Sequence, residues 1–286
     1  MFTSDLIQHL TAISPKNEVW YTPIQGLTIH CCDQPCQLSS YIQEPSICIV
    51  LQQRRQICNG GECYLFGQGQ FMFCPVNLPV TIEIPQATEN EPYLGISMKI
   101  DLQTVAKVLA QLPKNFVKKV ENQTAFGQWQ LSSGLENAFA RLMSLLETPN
   151  DIGFLAPLIQ QEIYYRLLQS DQGEKLQNLL KQDSHTNLIS RAAIWIEQNL
   201  GQSFTVEMLA YQSGMSVSGF HNHFKKVTGM SPLQYQKRLR LTEAQRLIKQ
   251  GKAISETAYK VGYESPSQFS REYKRYFGLS PSNKSE

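Results

Sequence analysis

The chain has 286 residues, 42% hydrophobic and 17% charged, with a formal net charge of +2. This balance fits an ordinary globular protein of two domains and excludes intrinsic disorder. No run approaches the ~18 consecutive apolar residues that a membrane helix needs.

Met1 to Thr11 carries Asp5 and no basic cluster, so it does not read as a signal peptide, and a cytoplasmic location is expected. The cysteines are Cys31, Cys32, Cys36, Cys48, Cys58, Cys63 and Cys74. An odd number without an export signal argues against a disulfide framework. No Cys-x-x-Cys pair stands at zinc spacing from histidines, so no metal is expected. Short runs broken by Gly, Pro and Asn predict strands at Leu27–Cys31, Ser46–Leu51, Arg55–Cys58, Glu62–Phe66, Phe71–Cys74, Thr81–Ile84 and Tyr93–Ile100. Asn59-Gly60-Gly61 is a hairpin signal. Strands at this spacing suggest a small barrel or sandwich.

Helical periodicity follows. Leu102, Val105, Ala106, Leu109 and Leu112 share a face that Pro113 ends; Leu131, Leu135, Ala138, Phe139, Leu142 and Leu146 form a second stripe. Ile159, Ile163, Tyr164 and Leu167 form a third. The polar stretch 169–187 reads as a linker. It divides the chain into an N-terminal unit, residues 1–182, and a C-terminal unit, residues 183–286. Charge divides there too. From His185 to Glu286 there are 14 lysines and arginines against 7 acids, net +7, whereas residues 1–184 carry −5. A basic third on an acidic remainder is the footprint of nucleic-acid binding, though a solvated basic surface has the same charge.

Beyond the linker two segments repeat: Thr205 to Gly229 and Ser255 to Gly278. With Gly214 on Gly262 and one extra residue after it in the second copy, Phe220 falls on Phe269, Phe224 on Tyr273, Lys225 and Lys226 on Lys274 and Arg275, and Gly229 on Gly278. Thr205 and Ser255 are placed to cap the first helix of each copy, Ser216 and Ser265 the second. Ser231-Pro232 starts a longer helix to about Gln250, which joins the copies. Two matched helix-turn-helix units with basic ends are more than a plain helical bundle requires, and in such units the second helix enters the major groove. Base-edge candidates are Ser218, His221 and Asn222 on the first, and Ser267, Gln268, Ser270 and Arg271 on the second. Ser216, Lys225, Lys226, Lys237, Arg238, Ser265, Lys274 and Arg275 are the phosphate candidates.

LAYQSGMSVSGFHNHFKKVTGMSP, RLRLTEAQRLI and VGYESPSQFSREYKRYFGLSP resemble the AraC/XylS family of bacterial transcription regulators. YTPIQGLTIH, EPSICIVLQQRRQ, GQGQFMFCPVNLPV and EPYLGISMKID resemble the sensor region of one AraC-type subgroup. The resemblance implies an α+β chain of two domains, with a cupin-like β-barrel and pairing helices before an all-α domain carrying both units. It further implies promoter DNA and RNA polymerase as partners, control by a small-molecule effector, and homodimerisation. One departure is Asn222, where the family often has arginine, between His221 and His223; His223 is expected to pack inward.

Only His9 and His30 precede residue 185, too few for the histidine-rich metal site of cupin enzymes. No nucleophile elbow or phosphate loop appears, so neither catalysis nor a cofactor is expected. Tyr41, Cys48, Phe66, Phe73 and Tyr93 are candidates for an effector pocket, with core packing the plainer role for each. Cys31, Cys32 and Cys36 form the tightest thiol cluster, a candidate low-pKa sensor of oxidants or electrophiles, although Asp33 opposes a thiolate. A sequence-tolerant architectural DNA binder and a cupin enzyme fused to a DNA-binding domain are the other classes open to this sequence.

Overall fold

The computed structural model describes residues 2–119 and 127–283; the ends of the chain counted above, Met1 and 284–286, lie outside them. After helix α1 (Ser4–Ile13) come strands β1 (Glu18–Tyr21), β2 (Leu27–Cys32), β3 (Cys36–Gln43), β4 (Ser46–Gln52), β5 (Arg55–Asn59), β6 (Glu62–Phe66), β7 (Gln70–Cys74), β8 (Leu78–Ile84) and β9 (Tyr93–Lys99). Helix α2 (Leu102–Ala110), the short strand β10 (Trp129–Gln130), and helices α3 (Ser133–Ser144), α4 (Pro149–Gln169) and α5 (Gly173–Leu180) complete the N-terminal half.

Among the described residues the strands form two antiparallel sheets, ordered β1-β2-β9-β4-β7-β10 and β3-β8-β5-β6. No ladder joins them, so the expected barrel is a two-sheet sandwich rather than a cylinder closed by hydrogen bonds. The larger sheet is covered on both faces. Along β4, Ile47, Ile49 and Leu51 pack with the helices, while Cys48 and Val50 face the smaller sheet. That is the period-2 alternation of a strand, and it explains why β4 reads as an unbroken apolar run.

Residues 169–187 are not a loose linker. Helix α5 occupies the middle of the stretch and buries Leu176 and Leu179, three residues apart, in the core beneath the large sheet. Helix α1 and strands β1, β3 and β10 are likewise absent from the sequence reading.

The C-terminal half is helical: α6 (His185–Gln198), α7 (Val206–Gln212), α8 (Val217–Thr228), α9 (Pro232–Lys249), α10 (Ile254–Lys260) and α11 (Pro266–Phe277). Its packing does not follow the sequence boundary. The core between the sheets, including Cys48, Ile57, Phe66, Val80 and Tyr93, continues into Ile189, Phe220, Phe224, Tyr235 and Leu239 of α6, α8 and the first half of α9. A separate core holds Leu241, Leu247, Ala258, Phe269 and Tyr273 of the second unit.

Candidate nucleic-acid interface and sensor interior

Each helix-turn-helix unit is built by local chemistry. Thr205 caps α7, its hydroxyl accepting from Met208 N at 3.2 Å, and Ser216 caps α8, accepting from Gly219 N at 3.2 Å. Between them Gly214 takes φ +63°, and its counterpart Gly262 takes φ +92°, where a side chain would be strained. Ser265 caps α11, accepting from Gln268 N at 3.1 Å. Ser255 is no cap: α10 begins at Ile254, and Ala253 holds the cap position without a side-chain bond. Helix α9 opens with a complete capping box between Ser231 and Gln234.

Phe220 and Phe224 on α8, and Phe269 and Tyr273 on α11, are buried at four-residue spacing. The opposite faces are open. Ser218, His221, Asn222, Lys225 and Lys226 are exposed on α8; Ser267, Gln268, Arg271, Lys274 and Arg275 are exposed on α11, with Ser270 half-buried. Two of the cations named from sequence are engaged within the protein. Lys237 Nζ lies 2.8 Å from the Glu272 carboxylate, and the Arg238 guanidinium stands 5.5 Å from the Tyr276 ring centre. His223 does not enter a core: it is half-buried, its ring stacked on that of the exposed His185 at 3.7 Å between centres. Burial, then the charges of His185 and Lys226, hold its pKa below the ordinary histidine value.

Sequence reasoning missed Arg240. Its guanidinium donates to Leu200 O (2.7 Å), Gly262 O (2.9 Å) and Gln202 O (3.1 Å), tying the loop after α6 to the turn of the second unit. An arginine between leucines on the joining helix carries no signal that distinguishes it from a surface cation.

The first unit is also gripped by the sandwich. Asn59, at the β5–β6 hairpin, donates from Nδ2 to Thr228 O at the end of α8 (2.9 Å). The Tyr235 hydroxyl donates to Asn77 O at 2.5 Å, and the Asn77 amide donates in turn to the Glu197 carboxylate. The hairpin is closed by a Cys58–Cys63 disulfide between directly paired residues. The expectation of no disulfide framework thus meets a single local bridge, whose partners are neighbours only once the strands pair.

In the N-terminal half, Tyr41, Cys48, Phe66 and Tyr93 come together in the core between the sheets. Phe73 does not. It pairs with Ile47 and faces the helices, because alternation along β7 turns Met72 and Cys74 inward instead. The thiol cluster is split the same way: Cys31 faces the helical side and Cys32 the sandwich interior, while Cys36 is half-buried. Burial first, then Cys36, Cys31 and Asp33, push the Cys32 pKa up to about 12, the reverse of what a thiolate sensor needs. Cys31 Sγ accepts from Lys16 Nζ at 3.3 Å.

Polar groups thread this interior. The Arg55 guanidinium donates to the Tyr41 hydroxyl, which donates to Gln43 Oε1; Gln43 Nε2 donates to Ser46 Oγ at 2.7 Å. His30 lies edge-on to Tyr93, ring centres 5.8 Å apart. Its pKa is lowered to about 4 by burial and then by Arg55.

Residues 23–175 match the family model described as the AraC-type transcriptional regulator N-terminus, more than half of the chain. The chain belongs to the AraC-type family of transcriptional regulators. Residues 209–285 match a helix-turn-helix domain model. The Transposon Tn10 TetD protein of Escherichia coli is 39% identical over 101 residues, covering 34% of this chain and 72% of TetD. The HTH-type transcriptional activator RhaS of Escherichia coli O1:K1 is 26% identical over 156 residues, 54% of this chain and 55% of RhaS. The match thus spans about half of RhaS.

ToxT of Vibrio cholerae, in an apo form, superposes with a TM-score of 0.55 at 11% identity, over 90% of this chain and 96% of that one. ToxT bound to (E)-4-(8-methylnaphthalen-1-yl)but-3-enoic acid gives 0.54 at 10% identity, over 90% and 97%. At these identities the likeness is one of fold. As an AraC-type protein the chain is a DNA-binding transcription regulator. No helix of the described residues is long and apolar enough to cross a membrane.

Proposed function

We propose that this AraC-type regulator is a promoter-specific activator working in the cytoplasm, in which α8 and α11 enter successive major-groove segments. A small-molecule effector held between the two sheets changes how the first unit is presented. Ser218, His221, Asn222, Ser267, Gln268, Ser270 and Arg271 read bases; Ser216, Lys225, Lys226, Lys237, Arg238, Ser265, Lys274 and Arg275 hold phosphates, Lys237 after leaving Glu272. The domain boundary falls near residue 183, the chain pairs as a homodimer through its N-terminal half, and it contacts RNA polymerase. No catalytic role is assigned.

One observation carries the reading: two matched units present polar faces on one rigid helix, and the core of the first is continuous with the sandwich interior. A ligand between the sheets therefore adjoins the packing of α8. Effector control requires different affinity for two arrangements, and that shared core is where such a difference can arise. The ligand-bound ToxT structure and the activator RhaS support the reading.

The test is selection of genomic fragments by the purified full chain at moderate salt. Two short elements about one helical turn apart are expected in the retained sequences. Retention without a shared motif would favour a sequence-tolerant architectural protein.

A further inference from the structure

The sandwich interior holds a cation with no counter-charge. Arg55 is 7% exposed, and among the described residues no carboxylate pairs with it. Its contacts are neutral: it donates to the Tyr41 hydroxyl and lies beside the Tyr93 hydroxyl. The thiols of Cys32 and Cys74 stay protonated, both pushed up by burial, and His30 stays uncharged at neutral pH because burial holds its pKa near 4. Two donors remain unused. Arg55 Nε–H meets no acceptor, and neither does the O–H of Tyr93, which is fully buried.

A buried charge is ordinarily paired, because an interior of low polarity penalises it heavily when alone. Arginine stays protonated in any protein setting, so neutralisation by loss of its proton is closed. What completes the site is an anion accepting from both donors. Its charge is set by the surroundings: with one guanidinium and no second cation in the cluster, a monoanion balances the site and a phosphate dianion does not. A planar carboxylate matches the guanidinium fork. Val50, Ile57, Phe66 and Met72 share the core with these groups, so the body of the ligand is apolar.

We infer that Arg55 and Tyr93 form the head-group site for an organic monocarboxylate with an apolar body, and that the effector belongs to this class. The inference rests on the reading of the N-terminal half as an effector-binding unit. Arg55 supplies the charge and the Nε–H, and the Tyr93 hydroxyl gives the second hydrogen bond. Tyr41, itself bonded to Gln43, holds the guanidinium in place.

The experiment titrates the full chain at fixed pH and ionic strength with benzoate and straight-chain carboxylates from acetate to dodecanoate, each beside its neutral amide. Thermal stabilisation and the ¹H–¹⁵N resonance of Arg55 Nε are followed. At least one acid should stabilise the protein and move that resonance, with its amide at least tenfold weaker. Arg55→Gln should abolish the preference for acid over amide. Tyr93→Phe, which keeps the ring and the charge, should weaken acid binding three- to tenfold and guards against a misfolded arginine variant. Amides binding as well as acids, or acid binding unchanged in both variants, would overturn the assignment and leave an effector of another class. No response to any acid also overturns it. If a small-molecule extract of cells likewise gives no stabilisation, the effector reading falls with it.

Discussion

Gly60 of the sensor hairpin and Gly229 at the end of α8 meet backbone to backbone. A Cβ placed on Gly60 would stand 2.1 Å from the Gly229 carbonyl oxygen, and one on Gly229 would stand 2.8 Å from Asn59 Nδ2. At Gly60 a side chain would run into backbone, and at Gly229, φ +79°, it would have to push the Asn59 amide aside. A strand hairpin of the sandwich thus abuts the C-terminus of α8.

Gly60→Ala should lift the hairpin from α8 at a cost of about 2 kcal/mol or more, joining a clash to a strained φ. Gly61→Ala is the control, since Gly61 also has positive φ but nothing within 4 Å of its Cβ position. Amide exchange at Val227 to Met230 should rise in the first variant and hold in the second. Equal responses would mean that backbone strain, not docking, sets the effect.

The Cys58–Cys63 bridge spans a short loop, so chain-entropy arguments give it about 2 kcal/mol of stabilisation. A dithiol reductant should lower the melting temperature of the wild type and leave Cys58→Ser/Cys63→Ser unmoved. A wild type indifferent to reductant would show that the hairpin is held by its ladder and by Asn59 alone.

His30 makes stability depend on acid. Its native pKa, about 4, lies below the ordinary 6.5, so the unfolded chain takes up the proton first as pH falls. The contribution is complete above pH 6.5 and is lost progressively from there to 4. At most it amounts to about 3 kcal/mol. Melting temperatures should fall across that window in the wild type and fall less in His30→Gln; parallel curves would assign the acid sensitivity to other groups.

Arg240→Ala removes three charge-assisted hydrogen bonds, two to the loop after α6 and one to the turn of the second unit, and should cost about 2 kcal/mol of the coupling between them. Exchange should quicken across α10 and α11 while α6 to α8 stay protected. Uniform quickening would indicate a global loss of stability instead.

On DNA, Arg271→Ala should cost about 1–3 kcal/mol at one base position and relax choice there. Lys226→Ala should weaken target and random duplexes alike and reduce the salt slope by about one. Equal losses on both duplexes for Arg271→Ala would move that residue to the phosphate group.

The helix-turn-helix units were legible because their signals are local. A glycine at the turn, a serine at the cap and aromatics four apart act within a dozen residues. Ser255 misled because the helix it was to cap starts two residues earlier, with Ala253 at the cap and Ile254 packed against the second core. The sandwich was legible as strands but not as faces. Phe73 and Cys31 turn towards the helices because strand register, a long-range property, decides which alternate residues look inward. Helix α5 escaped notice because its two buried leucines sit among polar residues. The carboxylate-free setting of Arg55 was invisible too, since a single arginine in a strand pattern reads as a surface cation until both sheets close over it.

Helix α9 belongs to two cores, its first half to the one shared with the sandwich and its second half to the outer unit. It is therefore a lever arm with its fulcrum on the sandwich. At 1.5 Å per residue its 18 residues reach about 27 Å. A tilt of about ten degrees at the fulcrum would swing the far unit by roughly 5 Å, close to the rise of one helical turn. If the first unit shifts against the sandwich, α11 at the far end of this arm would move farther than α8, so the register between the two second helices becomes the quantity that such a shift adjusts.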